Sequence, residues 1–173
     1  MHEEDVVIPS TVSRIAAAFV AKAALLLCLV PTASLAQAQQ YDFTSCHSGA
    51  VKVLFADKDV TVRSAEGWGI VMSNQANKPF DNATFHVVTT IRTVGKETSE
   101  VGYYKLMDSD GDFILAEVSR GDGQHTSRFF HGTGKWKGIT GSGRSERIVF
   151  RMVPPDWAAA CSRTVGTFVL PGR

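Results

Sequence analysis

From Cys46 to the end of the chain, β-branched and aromatic residues gather in short runs separated by Gly, Asp, Asn and Pro. No window of about 12 residues there sustains an apolar pattern at three- and four-residue spacing. That pattern predicts strands and little helix. Eight runs stand out: Ala50 to Ala56, Trp68 to Ser73, Ala83 to Thr93, Glu100 to Met107, Asp112 to Arg120, His125 to His131, Ser145 to Val153 and Cys161 to Leu170. Asp110-Gly111 and Asp122-Gly123 can supply the positive φ of tight hairpins, and Gly95 and Gly138 do so for longer loops. Consecutive strands are therefore expected to be mostly hairpin partners.

Within the runs the residues alternate. In the third, Phe85, Val87, Thr89 and Ile91 share one side, while Thr84, His86, Val88, Thr90 and Arg92 share the other. In the seventh, Ile148, Phe150 and Met152 oppose Arg147, Val149 and Arg151. Eight antiparallel strands could form a sandwich or a closed barrel, and closure removes exposed edges. The expected fold class is thus all-β, an eight-stranded antiparallel closed barrel with little helix. A barrel of this strand number is filled by side chains or holds one small ligand.

The first forty residues follow a different pattern. Ala23 to Val30 is an apolar run ending at Pro31, too short for a bilayer span of about 20 residues. Ser34-Leu35-Ala36 and Ala36-Gln37-Ala38 are small-x-small cleavage patterns. Residues 1–38 are read as a secretory signal, cut after Ala38 or two residues earlier, with a retained anchor as the alternative. Residues 39–173 are then a single β-barrel domain, periplasmic or secreted, with no membrane span after cleavage. The acidic opening Met1-His2-Glu3-Glu4-Asp5 is unusual for a signal. Cys28 would leave with it, so Cys46 and Cys161 remain and a single disulfide between them is expected, with two separate buried thiols as the alternative.

Composition adds exclusions. The 173-residue chain has 18 Lys and Arg against 17 Asp and Glu, a formal charge of +1, so it lacks the basic excess that nucleic-acid binding demands. At 44% hydrophobic and with 3 Cys, it is neither a disordered chain nor a disulfide-dense scaffold.

One segment is distinctive. Gly132-Thr133-Gly134-Lys135-Trp136-Lys137-Gly138-Ile139-Thr140-Gly141-Ser142-Gly143 places five glycines in twelve residues. A phosphate loop fails on spacing, because Phe129 stands where its first Gly should be and Trp136 where Ser or Thr should bind magnesium. A dinucleotide fingerprint fails because Lys137 occupies the third Gly position. The expected role of Gly132, Gly134, Gly138, Gly141 and Gly143 is structural, a bent connection between strands with Trp136 folded onto the barrel.

This segment resembles the Gly-Thr-Gly-Lys-aromatic-x-Gly stretch of the allene oxide cyclase-like barrels, the superfamily that includes the plant dirigent proteins. Gly102-Tyr103-Tyr104-Lys105 before the turn Asp108 to Asp112, and the closing run Cys161 to Phe168, are similar to exported bacterial members. The likeness in strand count spans most of the mature chain, whereas the specific motif spans about twelve residues. The resemblance implies an eight-stranded barrel whose interior takes a small, largely apolar molecule; in the plant members that interior guides a cyclisation or radical coupling. The cyclases' catalytic residues map onto no position here, so their activity is not implied.

Other candidate sites reduce to simpler readings. Asp108, Asp110 and Asp112 alternate as in a calcium loop, but Gly111 falls too early and Ser119 holds the position of the closing Glu. Arg120-Gly121-Asp122 is an adhesion tripeptide that overlaps a hairpin turn, and Asn82-Ala83-Thr84 is a glycosylation sequon. Gly141-Ser142-Gly143 lacks the context of a nucleophile elbow and is read as a turn. No His spacing suits a metal, and no cofactor is expected. His47 follows Cys46 directly, so the two should point to opposite faces. His125 and His131 share a face if their strand is regular.

The candidate polar groups for the lumen are His86, Tyr104, Glu117, His125 and His131. The functional expectation is an exported small barrel that binds a small apolar or amphipathic ligand. The alternatives are an isomerase or cyclase that uses the lumen as a template, and a self-associating module in which Trp68, Trp136 and Trp157 form a contact patch, a homo-oligomer.

Overall fold

In the computed structural model, which describes residues 37–121 and 123–172, every expected run coincides with a strand, with Ala83, Asp112 and Leu170 falling one residue outside. The strands are β1 (Gln39–Ala56), β2 (Val60–Ser73), β3 (Thr84–Val94), β4 (Glu97–Met107), β5 (Phe113–Gly121), β6 (Gln124–Gly132), β7 (Thr140–Val153) and β8 (Trp157–Val169). Each pairs antiparallel with the next and β8 pairs with β1, so the sheet is a closed barrel. A 3₁₀ turn at Gly134–Trp136 is the sole helical element among the described residues. None of their helices is long and apolar enough to cross a membrane.

Three strands start at least five residues earlier than the apolar runs do. In β1 the inward positions Tyr41, Phe43, Ser45, His47 and Gly49 alternate with Asp42, Thr44, Cys46 and Ser48, so small and polar residues hide half of a genuine strand. β2 gains Val60 to Gly67, where Arg63 and Glu66 interrupt the β-branched pattern. The third case overturns the expected turn at Gly141-Ser142-Gly143, which is the opening of β7. Glycine is required there because the Tyr41 ring lies against the backbone: a Cβ on Gly143 would collide with the Tyr41 hydroxyl. The rest of the glycine-rich segment is the expected bend, with positive φ at Gly134 (47°) and Gly138 (79°).

Stagger sets the width of the interior. Stepping from partner to partner around the barrel leads from Arg63 to Ile91, Glu100, Arg120, His125, Ser145, Thr164 and Phe43, and returns to β2 at Ser73, ten residues further along. Such a shift tilts the strands and opens the barrel relative to an unstaggered one.

The two ends differ. At one end lie the connections 74–83, 108–112 and 133–139, and here Tyr41, Phe43, Phe80, Phe129, Ile139, Phe168 and Leu170 are buried as a core. Phe80 acts as the plug: its ring lies 5.2–6.1 Å from those of Tyr41, Phe43, Phe129, Trp136 and Phe168. The Asp-rich turn is tied down beside it. Trp136 Nε1 donates to Asp108 at 2.8 Å, and Lys135 Nζ reaches Asp108 at 2.9 Å and Asp110 at 2.6 Å. An ammonium thus sits between two carboxylates of the alternating triad while the Lys135 backbone N–H donates to the third, Asp112, which explains why the glycine-rich segment and the acidic turn occur together.

The seam between the first and last strands carries the predicted disulfide, Cys46–Cys161, a cross-strand pair with Cα atoms 4.1 Å apart. Beside it Arg163 of β8 donates twice to Asp42 of β1, at 3.0 and 2.5 Å. That guanidinium and the Asn74 amide hold the Asp42 carboxyl below the usual carboxylate range.

Candidate functional site

At the other end, framed by the hairpins β1–β2, β3–β4, β5–β6 and β7–β8, the lumen is open. It holds a cavity of about 460 Å³, within the range of small-molecule pockets. Its floor is apolar, with Phe43, Phe85, Val87, Tyr104, Val118 and Ala160. Above the floor lies a charged belt: Arg63, Glu100, Arg120, His125 and Arg147, with His47 beside it. Registry explains most of the belt. Glu100, Arg120 and His125 are direct cross-strand neighbours on β4, β5 and β6, and all three point inward.

Two imidazoles facing the cavity are held towards neutrality. Burial lowers the pKa of His47, Arg147 lowers it further, and Glu100 acts in the opposite sense. Burial likewise lowers that of His125, with Glu100 raising it and Arg147 and Arg120 lowering it. His125 Nδ1 lies 4.0 Å from a Glu100 oxygen, and the His47 ring packs on Phe85 at 5.2 Å. Deeper in the barrel, burial pushes the Tyr41 phenol up to about 12 and Tyr104 higher still.

A pH effect on stability follows, with its sign. An unfolded His protonates near its ordinary value of about 6.5, whereas folded His47 and His125 resist protonation, so below about pH 6.5 the unfolded chain binds more protons. This contribution is complete above that pH and is lost as pH falls towards the folded-state values. The melting temperature should drop between about pH 6.5 and 5, and less steeply in His47→Gln and His125→Gln variants. An equally steep curve in both would show that other groups set it.

Of the five polar candidates named from sequence, Tyr104 and His125 line the cavity. The other three are corrected. His86 alternates with Phe85 and Val87 and therefore faces outward, stacked on Trp68 at 4.9 Å and bonded to Glu66 at 3.0 Å. Glu117 lies between the inward Ala116 and Val118, and pairs with Arg128 at 2.7 Å on the outer wall. His131 is turned outward by a bulge: Leu115 pairs with His131 and Ala116 with Phe129, leaving Phe130 as the extra residue. A second bulge, between Arg147 and Val149, corrects the alternation read for β7 and puts Arg147 on the cavity side with Phe150 and Met152.

His47 faces the lumen while Cys46 forms the seam disulfide, as the opposite-face argument required. Of the tripeptide Arg120-Gly121-Asp122, Arg120 lines the cavity, and Asp122 lies outside the described residues. The three tryptophans form no single patch. Trp136 packs into the plugged end, Trp157 opens β8 at the opposite end, and Trp68 stands on the outer wall of β2.

Sequence reasoning missed Arg63, Glu100, Arg120 and Arg147 as lumen residues. Strand parity could have found Glu100, which alternates with the candidate Tyr104.

No family model and no curated protein sequence matches the chain. Its structure is similar to that of the pterocarpan synthase dirigent protein GePTS1, with a TM-score of 0.50 over 79% of this chain and 93% of that one. The barrel is dirigent-like. At 9% sequence identity the likeness concerns the fold, and the dirigent-like barrel's own side chains must supply any statement about chemistry.

Proposed function

We propose that the protein is an exported binding protein that holds a small amphipathic molecule in the open half of its barrel. The observation that carries this reading is the division of one lumen into a plugged aromatic half and an open cavity of about 460 Å³ with an apolar floor and a polar belt. A barrel serving only as a packed module would have no reason to leave that space. The seam disulfide supports an oxidising compartment, periplasmic or extracellular.

Native mass spectrometry of protein secreted by its producing cells tests the reading. A bound small molecule, released on denaturation, is expected. It should be absent from Val87→Trp, which fills the floor, and retained in His86→Ala and Glu117→Gln on the outer wall. Retention in Val87→Trp, or failure of any amphipathic molecule to bind, would remove the proposal.

A second reading has its own observation. Glu100, His125 and His47 converge on the cavity with Tyr104 at its floor, the kind of acid–base set that an isomerase or cyclase would need. In that case the released molecule would have the mass of the one added but a different NMR spectrum. His125→Gln would keep the binding and lose the conversion.

A further inference from the structure

The charged belt is unbalanced. Three guanidinium groups, Arg63, Arg120 and Arg147, line the cavity with their side chains, against the single inward carboxylate among the described residues, that of Glu100, since Glu66 turns its own carboxylate outward to His86. Among the described residues none of the three arginines takes part in an ion pair. This holds even for Arg120, which is Glu100's direct neighbour across β4 and β5. Arg120 Nε is buried with no hydrogen-bond partner among the described residues, and so is His47 Nδ1. Arg147 lies over the Phe150 ring at 4.9 Å, near the lip. Unpaired cationic donors under an apolar wall are costly unless a ligand completes them.

We propose that the cavity selects an anionic amphiphile, with its acidic head on Arg120 and Arg147 and its apolar body on Phe85, Val87 and Val118. This inference rests on the lumenal-binding reading and adds the charge and orientation of the ligand. From Arg120 down β5 to Ala116, the level of Tyr104, is four residues, about 13 Å along a strand and roughly 10 Å along a tilted barrel axis. The body below the head is therefore short, a chain of about six to eight carbons or a small ring system. The orientation is head towards the mouth, because the groups below the belt are apolar or neutral hydroxyls. Arg120 takes the buried share of the head and Arg147 the exposed share.

Titration calorimetry with octanoate and octanol, two probes of equal chain length, tests this at pH 7 and low salt. Octanoate should bind about tenfold or more tightly than octanol, and only the octanoate affinity should fall as salt is raised. Arg120→Gln should erase most of the difference without weakening octanol, and Arg120→Lys should restore part of it. Should Arg120→Gln fail to fold, the salt series on the unaltered protein decides. If octanol binds as well as octanoate, with no salt dependence, the anionic preference is wrong and lumenal binding stands. If neither probe binds, both fall together.

Discussion

Replacing Cys46 and Cys161 together by serine is expected to lower the melting temperature by roughly 10–20 °C. The bond closes a loop with a sequence separation of 115 residues. In the chain-entropy account, releasing that loop costs about 4–5 kcal/mol. Its position adds to the effect, because β1–β8 is the one strand contact that joins distant parts of the chain; every other pair is a local connection. The Asp42–Arg163 pair beside it is largely exposed on the Arg side and cannot make up the loss. Circular-dichroism melts of the double variant, and of the native protein with and without reductant, measure the effect. A shift under about 3 °C would mean that the unfolded chain is already held near closure.

Truncating the plug should be comparably damaging. Phe80→Ala removes a ring that touches five other aromatic rings, and large-to-small changes of this kind cost about 3–5 kcal/mol. The backbone makes the test more specific. Phe80 has φ of 61°, a left-handed conformation costing about 1 kcal/mol or more for a residue with a side chain. Phe80→Gly should therefore be at least as stable as Phe80→Ala, the reverse of the usual order. Denaturant unfolding of the two variants gives the comparison. An alanine variant clearly above the glycine one would show that the turn, rather than the ring, relaxes on mutation.

The architecture was legible because strand content, hairpin turns and cysteine positions are local or nearly local signals. Gly95 and Gly111 do adopt the positive φ their turns require. The site was harder to read. Alternation correctly separated Phe85 and Val87 from His86, yet could not say which side faced inward. His131 and Arg147 then exchanged faces through single-residue bulges that leave no mark in composition. The belt itself depends on register across three strands, since Glu100, Arg120 and His125 meet only when β4, β5 and β6 are laid side by side. Phe80 was overlooked for a related reason: it lies in a loop, and nothing in the pattern around it reports that the loop folds back over the end of the barrel.

The order of the strands governs how the protein can be made. Synthesis delivers β1 first and β8 last, so until residue 169 has emerged the nascent sheet carries two raw edges, each able to pair with another chain. A prematurely terminated product lacking β8 would keep both, and would be prone to clump rather than persist as a smaller soluble form. Folding yield should therefore depend more on how quickly the last thirteen-residue strand finds the first than on any of the seven earlier pairings.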